Sequence, residues 1–408
     1  SGSMRGYGNL ESTFAVESQM DELAERLGLD PLELRRRNVT KPGDVHPQGF
    51  IITSCAMAEC LDAVAEDVSR DVPPPRPGWK RGVGYAGMFH VGGGARIYRS
   101  DGCGAILKLD DFGRLTLMTG ASEIGQGSET VLSMIAAEAF GIPLERVEVV
   151  NHDTVVRPWD VGVHASRTTF IAGNAVLLAA AELKQKFLVL AAEVMDEPAE
   201  RLELADGFVF VKDAPDRRLP YDKVVRSGHF REGGRTLVAE AFYDPPTQML
   251  NKELRGNISA AYGFAAQAVL VEVEEATGKV EVLKIVSAHD VGRALNPIAC
   301  EGQVHGGIHM GLGYALTEQL IVENGYVLNP QFMEYAILHA ADMPEIEVRL
   351  IETVDPAGPF GAKGIGEAGA IPVAAAVANA VHDAVGVRIR ELPLTPERVY
   401  RAISDGGK

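Results

Sequence analysis

Cysteine is scarce in this chain of 408 residues: Cys55, Cys60, Cys103 and Cys300 are the only four. None forms a Cys-x-x-Cys pair, which excludes the usual thiolate sites for zinc or an iron–sulfur cluster and makes reduced, cytoplasmic thiols the expectation. No apolar run reaches membrane-spanning length, and no charged leader precedes an apolar core, so no membrane span is expected. Positive charge is also short, with 39 Lys and Arg against 56 Asp and Glu and a net charge of −17. No basic run interleaves with aromatics, which argues against nucleic acid as a partner. What remains is 46% hydrophobic and 23% charged residues, the composition of a packed globular protein. A chain this long exceeds one ordinary core, so two or more subdomains are expected.

The pattern along the chain is α+β. Residues 12–27 form an amphipathic helix whose apolar face would hold Phe14, Val16, Met20, Leu23, Ala24 and Leu27. Asp30 caps a short second helix entered at Pro31, with Arg35, Arg36 and Arg37 in a last turn that favours cations. Four prolines among residues 72–79 mark a linker. The expected division is residues 1–71 as the tail of one domain, 72–80 as linker, and 81–408 as a second domain of two mixed α/β subdomains. In the latter, 106–109 and 115–117 form a hairpin, and 269–273 and 280–282 repeat it. Each returning strand runs into a glycine-bearing polar loop, so a duplicated unit is expected. Helices are expected over 129–140, 175–195 and 373–385, with Gly141 and Gly386 as stops.

Three loops carry the chemistry. The stretch Gly361-Ala-Lys-Gly-Ile-Gly-Glu367 leads through Pro372 into the Ala- and Val-rich helix, its one carboxylate walled by Ile365, Ala368, Ala370 and Ile371. An apolar wall disfavours the ionised form, so the pKa of Glu367 is expected to rise towards that of a general base. In the stretch Glu123-Ile-Gly-Gln-Gly-Ser128, free N–H groups at a helix start would make an anion pocket, and Gln126 can donate and accept to a heteroaromatic amide. The segment His164-Ala-Ser-Arg-Thr-Thr169 places hydroxyls at another helix entrance. Alone, the first two loops read better as a plain turn and a helix cap, and the third reads equally as a polar cap. His305 and His309 have the spacing of zinc ligands, but no glutamate stands between them, and the glycines around them argue for close packing instead.

Together the motifs occur in a revealing order: Met4-Arg-Gly-Tyr-Gly8, the stretch 27–38, the Gly-Gln-Gly loop, Ser166 with Thr168, Asp290-Val-Gly-x-x-Leu-Asn-Pro297 with Gly302-Gln303, Lys363-Gly-Ile-Gly-Glu367, and the ending 391–397. The series resembles the molybdenum-cofactor-binding large subunit of the xanthine dehydrogenase/aldehyde oxidase family, with the flavour of bacterial 4-hydroxybenzoyl-CoA reductase. The resemblance covers essentially the whole chain and implies the C-terminal half of that subunit. It implies a molybdopterin, in bacteria usually the cytosine dinucleotide, held by hydrogen bonds with no side-chain ligand to molybdenum. Glu367 matches the base that takes a proton from Mo–OH as its oxygen attacks an electron-poor carbon of an aromatic, N-heterocyclic or acyl-CoA substrate. Gln126 matches the glutamine beside the pterin, and Arg5, Ala165 and Ser166 match the lining of the molybdenum pocket. Gly125, Gly127, Thr168, Gln303, Lys363, Gly364 and Gly366 fall where cofactor contacts cluster, while Met310 replaces a pterin-contacting glutamine of some relatives.

The family's upstream half has no counterpart here, so a split large subunit or a piece of a longer chain is expected. Partner chains would supply that half, the Fe-S clusters and the FAD. Two other readings stand beside this one: a non-catalytic cofactor-binding or assembly module derived from the family, and an unrelated enzyme whose glycine loops bind a nucleotide.

Overall fold

The computed structural model describes residues 3–65, 68–70 and 72–406. Ser1 and Gly2 of the opening loop and Asp71 at the expected domain boundary lie outside the described residues. Helices α1 (Asn9–Leu27), α2 (Pro31–Arg37) and α3 (Met57–Val64) precede strand β1 (Trp79–Val91). Then come β2 (Cys103–Leu109), β3 (Leu115–Thr119), α4 (Ser128–Phe140), β4 (Val147–Val150) and the long α5 (Thr168–Met195). A small excursion follows, of β5 (Leu202–Ala205), β6 (Phe208–Val211), β7 (Ala214–Pro220) and α6 (Tyr221–His229), and the chain returns through β8 (Leu237–Tyr243). The last third holds β9 (Tyr262–Glu274), β10 (Lys279–Gly292), α7 (Pro297–Leu316), the short hairpin β11 (Val322–Glu323) and β12 (Tyr326–Val327), β13 (Glu345–Glu352), α8 (Val373–Val385) and α9 (Pro396–Ser404).

The expected duplication is present and larger than a hairpin. One sheet has the order β8-β2-β3-β4, the other β1-β9-β10-β13. In both, the outer strand and the hairpin are antiparallel, and the last strand returns parallel to the hairpin's second strand after a helix, α4 in one copy and α7 in the other. Helix α5 crosses β2 and β8 as α8 crosses β9 and β1. Each copy is thus a hairpin, a helix, a parallel strand and a second helix, and four loops enter these four helices.

Packing follows from the side chains. Strand β9 is buried along nearly its whole length: Val269, Val271 and Val273 join the core under α7 and α8, while Ala268 and Leu270 join the one under α3. A strand covered on both faces reads as a continuous apolar run rather than an alternating one. On β1, a Cβ at Gly84 would lie 2.1 Å from the Ala380 nitrogen, so glycine is what lets the alanine-rich α8 lie against the strand. The other copy builds its own core from Leu107, Leu117, Phe140, Phe170 and Phe187.

Two boundaries and one face differ from expectation. Helix α5 starts at Thr168 and takes in Gly173, and α1 starts at Asn9 behind Gly8. On α1, Val16, Leu23 and Leu27 are exposed, whereas Leu10, Glu17 and Ala24 are buried. The helix turns that face inward because Arg35 of α2 draws it there, pairing with Glu17 at 2.7 Å and Asp21 at 2.8 Å. Glu17 also accepts from the Gly87 N–H at 2.8 Å. Arg36 and Arg37 form outer ion pairs with Asp62 and Glu33.

Candidate active site

The loops entering the four helices of the two copies meet at one place. The loop before α4 (120–127) and the loop before α7 (293–296) line a small cavity of about 70 Å³ through Gln126, Gly127, Leu295 and Asn296. Beside it, a cavity of about 590 Å³ is lined by residues from the loops before α5 and α8, with Arg5, Gly125, Gln126 and Gln303 also on its wall. Gln126, Thr169, Gln303 and Ile365 line both. Of the twelve residues singled out from sequence, Arg5, Gly125, Gln126, Ser166, Thr168, Gln303, Gly364, Gly366 and Glu367 line the larger cavity, and Gly127 and Lys363 the smaller. Ala165 is buried behind them.

The Glu367 loop hangs between strand ends. The Lys363 N–H donates to Val291 O at 2.9 Å, at the end of β10, and the Gly364 N–H to Gly92 O at 2.7 Å, just past β1. The Lys363 side chain turns away from the cavity: its ammonium, wholly buried, pairs with buried Asp290 at 2.8 Å and donates to Ser54 O at 3.1 Å. Asp290 is in turn saturated by the Ala56 and Gly292 N–H groups and the Thr353 hydroxyl. Lys363 therefore anchors the loop from beneath through its side chain.

The Glu367 carboxylate is buried and held by three donors. Oε2 accepts from Ser166 Oγ at 2.8 Å and lies 2.9 Å from His90 Nε2, and Oε1 accepts from the Gly6 N–H at 3.2 Å. The Ser166 hydroxyl also accepts from the Glu367 N–H at 3.1 Å, closing a small ring between the two loops. Burial pushes the Glu367 pKa up, as expected from its apolar neighbours, but His90, Ser166 and Gly6 more than offset this and hold it below its ordinary value. The expected rise is thus corrected: the site contains an ionised carboxylate. Ala165 and Ser166 both have positive φ, 52° and 48°, an uncommon conformation for residues with a Cβ. It puts the Ser166 hydroxyl against the Glu367 loop.

Arg5 links the opening loop to α7. Its Nε donates to Gly366 O, its Nη2 to both Gln303 O and Oε1 at 3.1 Å, and its Nη1 lies 3.7 Å from Met310 Sδ. Burial pulls the guanidinium below its ordinary value, and Glu367 opposes that pull.

The Gly-Gln-Gly loop differs from the expected anion pocket. The carboxylate of Glu123 already accepts from the Gly125, Gly127 and Glu129 N–H groups and from Ser128 Oγ, at 2.7–3.2 Å. Burial raises the Glu123 pKa, and these four donors overcome it. The loop carries its own anion at the helix entrance, so the plain helix cap is the reading the structure supports. Gln126 is likewise tied back, its Oε1 accepting from the Ile124 N–H and its Nε2 donating to Ser122 O.

Sequence reasoning did not single out His90, Asn9, His164 or Glu123 as site residues. His90 had one visible signal, a histidine at a strand end followed by Gly92-Gly93-Gly94. His164 lines the larger cavity, and its Nε2 is buried without a hydrogen-bond partner. Burial and nearby Arg167 pull its pKa down, leaving a neutral ring able to donate and accept. His309 Nε2 lies 2.8 Å from Leu338 O. Among the described residues, no group of three His, Cys, Asp or Glu side chains is placed to ligate a metal.

The wall thus offers hydroxyls, amides, an unpartnered imidazole nitrogen and one carboxylate. Those groups suit a polar heteroaromatic ligand held by hydrogen bonds rather than a metal held by side chains. Residues 61–344 match the model of the molybdopterin cofactor-binding domain, and residues 1–39 match a second model of that description. The chain is 36% identical to the xanthine dehydrogenase molybdenum-binding subunit of Escherichia coli O157:H7, covering 98% of this chain and 53% of that one. It is 32% identical to the nicotine 6-hydroxylase large subunit of Paenarthrobacter nicotinovorans, over 98% of this chain and 51% of that one. The crystal structure of quinoline 2-oxidoreductase from Pseudomonas putida 86 superposes with a TM-score of 0.89 at 29% identity, over 99% of this chain and 53% of that one. The chain belongs to the molybdopterin cofactor-binding domain family. It spans about half the length of the curated relatives it matches. These similarities give no support to the 4-hydroxybenzoyl-CoA reductase branch in particular. No helix among the described residues is long and apolar enough to cross a membrane.

Proposed function

We propose that this chain forms the Glu367-bearing half of the catalytic site in a cytoplasmic molybdenum-dependent oxidoreductase, which hydroxylates or dehydrogenates a small aromatic, N-heterocyclic or acyl-CoA substrate. The observation that carries this reading is the Glu367 carboxylate itself: buried, held by His90, Ser166 and the Gly6 N–H, and facing a cavity walled by the loops of a molybdopterin-binding family. A base must be deprotonated before it can act, and the donors around Glu367 keep it so. The bound molybdopterin, proposed as the cytosine dinucleotide, would supply the oxygen transfer and accept the electrons. Arg5, Ala165, Ser166, Thr168, Gln303, Gly364 and Gly366 would hold it, with Gln126 turned towards it once released from its own loop, and Glu367 would accept the proton released in the reaction.

The rest of the enzyme is proposed to lie on partner chains: the upstream half of the molybdenum subunit, an Fe-S small subunit and an FAD-bearing medium subunit. Supporting this, the chain spans about half of its relatives, and its four cysteines, three of them buried, are too few for two clusters. The test is Glu367→Gln, assayed by reduction of an artificial electron acceptor with a panel of aldehydes and N-heterocycles. Turnover is expected to fall by at least about 10²-fold with pterin and molybdenum content unchanged. Undiminished turnover would overturn the assignment.

A further inference from the structure

Glu367 ends a hydrogen-bonded chain that starts on α1. The Asn9 amide is oriented by its surroundings: its Nδ2 donates to Phe89 O at 2.9 Å, and its Oδ1 accepts from Ser12 Oγ at 3.0 Å and Thr13 Oγ1 at 3.3 Å. A backbone carbonyl accepts only, so the nitrogen and oxygen of this amide cannot be exchanged. The second Nδ2 hydrogen therefore faces His90 Nδ1, 3.1 Å away, and that ring nitrogen must accept. The ring hydrogen then sits on Nε2, aimed at Glu367 Oε2 at 2.9 Å. Both side chains are nearly buried, His90 11% and Glu367 8% exposed, so water competes little for these bonds.

The consequence is an asymmetric carboxylate. Oε2 has two short donors, His90 and Ser166, while Oε1 has only the longer bond from the Gly6 N–H. We propose that His90 is a positioning residue for Glu367, with its hydrogen set on Nε2 by Asn9, so that Oε2 is held and Oε1 is the oxygen that receives the proton. The inference rests on the reading of Glu367 as the base. Hydrogen bonds aligned by packing fix a reacting group to within the few tenths of an ångström that proton transfer needs, and small misplacements are costly.

The experiment has two parts, both on the protein isolated from its own cells with the chains that accompany it. The first compares His90→Leu with His90→Gln, whose side-chain amide can still donate to Glu367. His90→Leu is expected to lose about 10²-fold in kcat with KM changed less than about twofold, and His90→Gln to recover at least about tenfold of that loss. Equal loss in both variants, or none in His90→Leu, would overturn the proposal. The second is neutron diffraction from deuterated crystals of the unsubstituted protein, which does not depend on a variant folding. Deuterium on His90 Nε2 and none on Nδ1 is expected, and deuterium on Nδ1 would overturn the proposal. Failure of the base reading looks different: Glu367→Gln would keep full turnover while the neutron result stands.

Discussion

Gly364 approaches Ser166 so closely that a Cβ at position 364 would lie 1.5 Å from the Ser166 carbonyl oxygen. Since Ser166 also bonds Glu367 through its hydroxyl and that residue's N–H, the contact sets how the two loops dock. Gly364→Ala is expected to push them apart. The cost to stability should reach about 3 kcal/mol, read as a lowered midpoint in thermal unfolding, with turnover lost even below that midpoint.

Helix α7 gives a paired test of close packing against helix propensity. At Gly302, which is exposed, a Cβ would meet nothing within 4 Å, whereas at Gly307 it would lie 2.8 Å from the Ala370 nitrogen and Gly369 Cα. Gly302→Ala is expected to stabilise by up to about 1 kcal/mol. Gly307→Ala, with the same gain in propensity, is expected to destabilise by about 1–3 kcal/mol. Denaturant titration of the two variants checks the opposite signs.

Arg35 is a buried hub rather than a helix-end decoration. It pairs with Glu17 and Asp21 and donates to the carbonyls of Glu17 and Tyr85. Arg35→Met would leave two largely buried carboxylates without their cation, at a cost of about 3–5 kcal/mol. Adding Glu17→Leu to Arg35→Met is expected to return part of that loss, and a double-mutant cycle measures how much.

Stability should fall with acid through His289. This side chain is wholly buried on β10, with its Nε2 2.7 Å from Ser287 Oγ, and burial pushes its pKa down to about 4. The folded state keeps the ring neutral while the unfolded chain protonates below about pH 6.5. The stabilisation is therefore complete above pH 6.5 and lost as pH falls towards 4, about 3 kcal/mol in all. His289→Asn, compared with the unsubstituted protein at pH 7.5 and pH 4.5, should show the smaller acid-induced drop in melting temperature.

Much of this was legible in the residues. Alternation and turn chemistry gave both hairpins, and the apolar run behind Pro372 gave α8, because those signals are local. The duplication extended past the hairpins, since a parallel return strand leaves no short-range mark. Glu367 was found from its glycines and apolar wall, but its charge state was not. The donors that reverse the effect of burial, His90 and Ser166, stand far away in the chain and meet Glu367 only through the fold. The same holds for α1, where counting apolar residues chose one face and the Arg35–Glu17 pair chose another. In the Gly-Gln-Gly loop the free amides were visible, and so was Glu123, but nothing local said that the acid would turn back to fill them.

The most direct test of the central claim is native mass spectrometry of this chain isolated from its own cells, combined with molybdenum and pterin analysis. The expected result is a complex that contains further chains and about one molybdopterin and one molybdenum for each copy of this chain. A chain that carries neither pterin nor molybdenum, alone or with partners, would contradict the account.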